Sequence, residues 1–330
     1  MQPFVSIIVP TRNCAGTVEK LIKSLLNVNY ENYEIIIVDS SSDGTKDVLK
    51  KYTRKIKVFH MKPRKKRNAN AARNLGVKKS KGSILAFTDA DCIVDRNWLR
   101  ELVKEFVSDD IAVVGGSVLK HKNNIYIEHA AKSVRPIMRH YRQRIVIDKT
   151  NFHKSLYPIG CNFAVRKSVL KKVGFFDEKT PSYDEIELFW RILKKGCKIV
   201  CTPAPKVRHA FAKNLSTVIR KCFRYGMGFG YFAKKYPSSP ATASKLLFVS
   251  GALLYMAINL VLLFLFFAAQ SPIFAISLLI SIVLLSLFYL LKFKRLNFIA
   301  YMLLELLTFV AYVSGFFYFL LSGNRTTRGK

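Results

Sequence analysis

Three apolar stretches near the C-terminal end restrict the fold of this chain more than any other feature. Residues 246–269, 273–291 and 298–321 are nearly free of charge, and each approaches the roughly 20 residues that a helix needs to cross a bilayer. Apolar residues cover every face of these segments, whereas the buried helices of a soluble domain, the alternative, usually keep a polar face. We therefore predict a membrane domain over residues 245–330 with about three transmembrane helices.

The basic residues around these stretches predict an orientation. Lys292, Lys294 and Arg295 lie between the second and third stretches, whereas the turn at 270–272 has no charge. Loops rich in Lys and Arg stay in the cytoplasm, which predicts a multi-pass protein of the cell membrane with its large N-terminal region cytoplasmic. A third full crossing would leave the basic end of the chain outside, so the third segment is alternatively re-entrant or interfacial.

The chain as a whole is strongly basic. It has 54 Lys plus Arg against 21 Asp plus Glu, a formal net charge of +33, and 50% hydrophobic residues. So many apolar residues exclude a disordered basic tail, and the charge indicates an anionic partner: a nucleic acid, an anionic lipid leaflet or a phosphate-bearing molecule. The basic run at residues 62–67 is either a solvated loop or a segment that closes over such an anion.

The first 120 residues alternate between two periodicities. Short apolar runs typical of buried strands alternate with patterns of helical spacing, which predicts an α/β fold with a doubly wound parallel sheet. Ligands of such sheets bind at the carboxyl edge of the strands. The predicted strands are residues 4–9, 34–38, 56–59, 84–87 and 111–114.

Acidic residues follow two of these strands directly. Asp39 follows the second, and Asp89 and Asp91 follow the fourth. Two carboxylates one residue apart at a strand end can share a hard divalent cation and leave positions open for phosphate oxygens. A turn or a helix cap is the alternative explanation for such acids, although it does not account for two clusters at one edge.

These motifs, in this order, resemble those of the inverting family 2 glycosyltransferases. The resemblance covers about residues 4–235 and rests on several segments rather than on one. They are residues 5–13, 39–45, 71–76, 89–91, 160–162 with Arg166, and 173–178.

The resemblance implies a GT-A fold, a nucleotide-sugar donor such as a UDP- or GDP-sugar, and a divalent cation, Mg²⁺ or Mn²⁺. It places Asp91 on the metal, with Asp89 on the metal or the ribose, and it makes His209 a further metal ligand unless that histidine is a packing residue. The residues that it implies for the nucleotide sugar are Pro10, Thr11, Asp39, Arg73, Asp89 and Asn162.

An acidic helix start at residues 184–187 is the predicted position of the catalytic base. Aligning on Leu188 and Arg191 places Asp184 and Glu185 where the family has a Glu-Asp pair, in reversed order. Glu185 is therefore the expected base and Asp184 the second choice. The alternative is a solvated helix start, where acids are favoured. A base is needed for a hydroxyl acceptor but not for a phosphate acceptor.

The predicted organisation is a GT-A catalytic domain over 1–215, amphipathic interfacial helices over 216–244, and the membrane domain. The predicted function is a membrane-bound, metal-dependent transferase of the hexosyltransferase type that moves a single sugar to a hydroxyl of a lipid-linked or cell-envelope glycan. Membrane lipids are expected partners. A polyprenyl or dolichyl phosphate sugar synthase is one alternative. A non-catalytic basic adaptor is another, but clustered acids oppose a polyanion, so we expect no nucleic acid.

Overall fold

The computed structural model describes residues 2–62, 69–121, 124–133, 138–154, 157–209, 214–293 and 298–322. Most of the basic run at 62–67, the basic loop residues Lys294 and Arg295, and the C-terminal residues 323–330 lie outside this part of the chain. The structural statements below concern the described residues.

The centre of the molecule is one mixed sheet. Its strands lie in the order β3-β2-β1-β4-β8-β6-β9-β5, with β7 also pairing with β9. They are β1 (Val5–Thr11), β2 (Tyr33–Asp39), β3 (Lys57–His60), β4 (Ile84–Phe87), β5 (Cys92–Val94), β6 (Ile111–Lys120), β7 (Ile145–Ile147), β8 (Phe163–Arg166) and β9 (Lys198–His209).

The first half of the sheet is parallel, as predicted. Strands β3, β2, β1 and β4 all run in one direction, and Thr11 at the end of β1 pairs with Asp39 at the end of β2. The interior residues of β1, β2 and β4 are almost all fully buried, as expected of strands covered on both faces, whereas the edge strand β3 is only partly buried.

The fifth predicted strand, β6, also runs in this direction, but the second half of the sheet contains antiparallel strands as well. Strand β8 lies antiparallel between β4 and β6, and β5 pairs antiparallel with β9. A continuous apolar run marks a buried strand but carries no information on its direction or its neighbours, so the sequence could not show that β8 separates β4 from β6.

Helices cover the sheet and continue into the C-terminal region. Those around the sheet are α1 (Val18–Leu26), α2 (Thr45–Lys50), α3 (Ala69–Lys79), α4 (Trp98–Val103), α5 (Ile125–Lys132), α6 (Lys167–Val173) and α7 (Asp184–Lys194), with a 3₁₀ turn at Phe152–Lys154. The C-terminal helices are α8 (Leu215–Lys235), α9 (Pro240–Ala269), α10 (Pro272–Phe293) and α11 (Phe298–Ser322).

The three predicted apolar segments all form helices, and two satisfy the length and hydropathy expected of membrane spans. These two are α9 and α11, whereas the apolar part of α10, Pro272–Phe288, is shorter. The most apolar window of α9 is not buried within the protein, while 39% of that of α11 is. The exposed apolar surface of α9 indicates membrane association.

Helix α11 packs on the rest of the protein along one face over most of its length, whereas α9 does so only near its start. Gly315 approaches Phe223 of α8, and Gly226 of α8 approaches Tyr312 so closely that a Cβ on either glycine would overlap the facing backbone. At the N-terminal part of α11, Glu305 lies 2.8 Å from His129 of α5. The third segment is thus fixed to the catalytic domain by both apolar and polar contacts.

Candidate active site

The ends of β1 and β2 form one wall of the candidate site. Asp39 is fully buried, and its Oδ1 accepts hydrogen bonds from the Thr11 hydroxyl at 2.9 Å and the Ser41 hydroxyl at 2.6 Å. Its Oδ2 lies 3.3 Å from Nδ1 of His60. The in-register ends of two parallel strands bring these side chains together. Pro10 is half-buried beside them on β1.

The end of β4 leads into the acidic part of the site. Asp91 and His209 lie 3.1 Å apart, between Oδ1 and Nε2, because Cys92 at the start of β5 pairs with His209 at the end of β9. Burial alone would lower the pKa of His209, but its hydrogen bond to Asp91 and the nearby anionic groups raise it to about 9. Burial alone would raise the pKa of Asp91, yet His209 and Lys221 hold it below its ordinary value.

The Asp91 and His209 pair fits a divalent cation. Two adjacent ligands of an octahedral ion at about 2.1 Å are separated by roughly 3 Å, which is close to the observed separation of the two atoms. A carboxylate and an imidazole are both accepted by first-row divalent ions. The sulfur of Cys92 lies in the same cluster, but burial raises the pKa of this thiol well above its ordinary value, so it is a poor ligand for a hard cation.

Arg73 connects the end of β4 with the start of α7. Its guanidinium is buried at 5% exposure and donates to Oδ1 of Asp89 at 3.3 Å and to Oδ2 of Asp184. It also lies 5.6 Å from the ring centre of Phe176. Burial raises the pKa of Asp89, and the positive charge of Arg73 partly offsets the rise. The sequence-predicted residues Arg73, Asp89 and Asp184 are therefore brought together.

Asp184 and Glu185 have different surroundings although they are adjacent. The carboxylate of Asp184 is engaged by Arg73, whereas Glu185 lines a cavity of about 460 Å³ that extends between the C-terminal helices. Burial, followed by the negative charge of Asp184, raises the pKa of Glu185 to about 7. A carboxylate with a pKa in this range can both accept and release a proton near neutral pH.

The structure places Asn162 among the strands behind the site. This residue is fully buried, and its amide oxygen accepts from Nε1 of Trp98 at 2.8 Å while its nitrogen donates to the carbonyls of Ser117 at 2.8 Å and Pro205 at 3.0 Å. These bonds join α4, β6 and β9. Asn162 therefore helps to hold the sheet together behind the site, and its expected role in donor binding stays a prediction.

Helix α8 contributes residues that sequence reasoning did not assign to the site. Burial lowers the pKa of Lys221, and the carboxylates of Asp91 and Asp89 are near enough to offset part of that shift. Tyr225, one turn later, lines the same cavity as Glu185. The alternation of basic and apolar residues in α8 predicted an amphipathic helix, and only its packing shows that this face turns towards the acids.

Comparison with known proteins agrees with this arrangement. A sequence model described as "Glycosyl transferase family 2" matches residues 6–174, more than half of the chain. This chain belongs to glycosyl transferase family 2. It is a glycosyltransferase, and the resemblance noted in its motifs is confirmed.

Curated relatives of this chain are also named glycosyltransferases. Glycosyltransferase AglE of Haloferax volcanii is 27% identical over 68% of this chain and 73% of its own length. A pre-mycofactocin glycosyltransferase of Mycobacterium tuberculosis is 27% identical over 72% of this chain, but the match spans only 49% of that protein. The match likewise spans 59% of a Rickettsia typhi relative.

A solved structure has the same fold. The mannosyltransferase PcManGT from Pyrobaculum calidifontis, in complex with GDP-Man and Mn²⁺, superposes with a TM-score of 0.67 at 18% identity, covering 98% of this chain and 88% of that one. The likeness confirms the GT-A fold. It includes the C-terminal helices, since nearly the whole transferase is covered.

Proposed function

We propose that the transferase is a membrane-bound, inverting enzyme that moves a single sugar from a nucleoside diphosphate sugar to a hydroxyl of a lipid-linked or cell-envelope glycan. The observation that carries this proposal is the position of Glu185. Its carboxylate lies near the charges of Asp89 and Arg73 and also lines a cavity formed in part by C-terminal helices.

The donor side of the site is assigned to the strand ends. Thr11 and Asp39 line the nucleotide pocket, and Asp91, His209 and Asp89 would hold a divalent cation, Mg²⁺ or Mn²⁺. When bound, such an ion would neutralise the charge that develops on the leaving diphosphate. The complex of PcManGT with GDP-Man and Mn²⁺ supports a donor and cation of this kind. Lys221 adds a second positive charge near the same carboxylates.

The acceptor side is assigned to Glu185. The acceptor hydroxyl gives its proton to the Glu185 carboxylate while its oxygen forms the new bond to the anomeric carbon. The bond from that carbon to the diphosphate breaks, and its electron pair leaves with the diphosphate. Attack from the face opposite the leaving group inverts the configuration. Asp184 is less suited to be the base because Arg73 already holds its carboxylate.

The membrane side is assigned to the C-terminal helices. Helices α9 and α10 anchor the transferase through their exposed apolar surfaces, and we assign the basic catalytic domain to the cytoplasmic face, beside anionic lipids. We also propose that the chain is divided into a catalytic domain (1–215), an amphipathic region (216–244) and a membrane domain (245–330).

The proposal is tested by following release of nucleoside diphosphate from a panel of UDP- and GDP-sugars. Full-length transferase in lipid nanodiscs is supplied with a membrane glycolipid extract, with Mn²⁺ or Mg²⁺ and with or without a chelator. We expect turnover with one donor class that stops when the metal is removed. If the protein neither binds nor turns over any donor in the panel, the non-catalytic adaptor is favoured instead.

A further inference from the structure

The cavity beside Glu185 is lined mainly by helices α9 and α11, with Leu285 of α10 and residues of the catalytic domain completing the wall. Its volume is about 460 Å³, which lies in the range typical of sites for a single organic ligand. Most of the wall away from Glu185 is apolar, including Phe248, Met256, Leu285, Met302, Leu306 and Phe309. Because these residues belong to the helices that carry the membrane-exposed surface, the cavity suits a hydrocarbon chain that enters from the bilayer.

The part of the wall near α7 is cationic. Lys245, at the start of the apolar part of α9, is only 5% exposed, and its Nζ lies 5.2 Å from the ring centre of Tyr183 and 5.8 Å from that of Tyr157. The guanidinium of Arg139 lies 5.9 Å from the same Tyr157 ring. Two positive charges therefore meet at one tyrosine on the cavity wall.

The acids of the cavity do not reverse this charge. Glu305 lies 2.8 Å from His129, which also lines the cavity, and the other acid is Glu185. A phosphate placed directly against Glu185 would be repelled by it. An anionic group is favoured instead beside Lys245 and Arg139, and Tyr183 is only two residues before Glu185 in the chain.

We propose that the acceptor is a glycan carried on a lipid phosphate or diphosphate, bound with its phosphate at Lys245 and Arg139, its hydrocarbon chain between α9 and α11, and the reacting hydroxyl of the glycan at Glu185. This inference rests on the proposed function and specifies its acceptor. The apolar wall of the cavity binds the hydrocarbon chain, and Lys245 and Arg139 select a charged head group. Glu185 accepts the proton of the hydroxyl that lies beyond the phosphate.

The test uses full-length transferase in phosphatidylcholine nanodiscs and three probes. They are a long-chain polyprenyl phosphate, the matching uncharged polyprenol, and inorganic phosphate, with binding measured by native mass spectrometry. The first variant, Ala252→Trp, fills the cavity from α9. Its matched control is Ala257→Trp, at an exposed position on the same helix. The second variant, Lys245→Gln, removes the charge and keeps much of the side-chain length.

We expect polyprenyl phosphate to bind the unaltered protein at least tenfold more tightly than polyprenol or inorganic phosphate. Ala252→Trp should weaken its binding at least tenfold while Ala257→Trp leaves it unchanged, and Lys245→Gln should remove the preference for phosphate over polyprenol. Equal binding of polyprenyl phosphate and polyprenol to the unaltered protein would overturn the proposal without any variant. Unchanged binding to both Ala252→Trp and Lys245→Gln would also overturn it.

Nucleotide-sugar binding, measured on the same samples, separates the two proposals. If the unaltered protein binds the donor normally but does not prefer polyprenyl phosphate over polyprenol, only the proposal of a lipid phosphate acceptor is contradicted. Normal lipid binding with no binding or turnover of any donor would contradict the proposed transferase function instead.

Discussion

Adjacent carboxylates can have different chemistry when only one of them has a fixed cationic partner. Arg73 engages Asp184 and Asp89 together, so the two acids share a buried positive charge. Glu185 faces the cavity, and burial raises its pKa to about 7. In this acidic pair, whose order is reversed relative to the family pattern, Asp184 is thus bound by Arg73. Glu185 remains available to the proposed acceptor.

The raised pKa of Glu185 predicts a pH dependence of transfer. A general base must be unprotonated, so kcat/KM should fall about tenfold per pH unit below pH 7 and level off above it. The measurement is a profile from about pH 5.5 to pH 8.5 with saturating metal. Donor affinity, measured over the same range, serves as the control. A flat profile of kcat/KM on the acid side would contradict Glu185 as the base.

Asp91 and His209 are predicted to set the metal requirement. Asp91→Asn and His209→Gln should each raise the Mn²⁺ concentration for half-maximal activity by at least tenfold, because even partners one step away from a metal typically change its affinity by about 10–100-fold. Asp109→Asn, on a fully exposed carboxylate, is the matched control. If His209→Gln leaves the Mn²⁺ dependence unchanged, the histidine is a packing residue.

At the scale of elements, α8 joins the catalytic domain to α11. Gly228 of α8 packs on Ser182, just before α7, and Gly226 and Gly230 pack on α11. Small residues let helix backbones approach closely, so α8 is enclosed on two sides. The expected location of α8 in the headgroup plane stays a prediction, but part of its apolar surface is already covered by α11.

Gly315→Leu should therefore destabilise the transferase. A Cβ at this position would lie 2.0 Å from the carbonyl oxygen of Phe223, and overpacking of this kind costs about 1–3 kcal/mol. We expect a lower midpoint of thermal unfolding in detergent. The control is Gly251→Leu on α9, where an added Cβ has nothing within 4 Å. Equal midpoints for the two variants would mean that α8 and α11 do not pack as described.

The sequence predicted those elements whose signal is local. Strands β1, β2 and β4 and the acids that follow them were predicted because apolar runs and strand-end residues lie next to each other in the chain. The insertion of β8 and the pairing of β5 with β9 were not, since strand pairing depends on contacts between residues far apart in sequence. The hydrogen bonds of Asn162 were not predicted for the same reason, because its three partners are at least 43 residues away.

The sequence predicted which residues belong to the candidate site but not which of them form ion pairs with each other. The sequence named Arg73, Asp184 and Glu185, yet the ion pair that separates the two acids spans 111 positions. Lys221 was assigned to a membrane-facing helix because its periodicity shows a basic face without showing what lies opposite. Helix packing, which decides both points, is a property of the folded chain.

At the scale of the whole molecule, one cavity connects Glu185 with the C-terminal helices. Glu185 lines this cavity together with residues of α9, α10 and α11, so these helices form part of the proposed acceptor site as well as the proposed membrane anchor. The strong positive charge of the chain, +33, suits a protein that works beside anionic lipids and phosphates.

This arrangement predicts the sidedness of the transferase. Ser271→Cys, in the turn between α9 and α10, should react with a membrane-impermeant thiol reagent in intact cells, whereas Ser108→Cys, exposed on the catalytic domain, should react only after permeabilisation. The unaltered chain is the control, because four of its six cysteines are buried. The opposite pattern of labelling would contradict a cytoplasmic catalytic domain.

The role of Glu185 as the general base is tested most directly by comparing donor binding with sugar transfer in Glu185→Gln and in the unaltered transferase. The variant keeps the shape of the side chain but cannot accept the proton. We predict that it binds the nucleotide sugar and Mn²⁺ with unchanged affinity and transfers sugar about 100-fold or more slowly, the usual contribution of a general base. Near-normal transfer by Glu185→Gln, with transfer abolished in Asp184→Asn, would contradict the account.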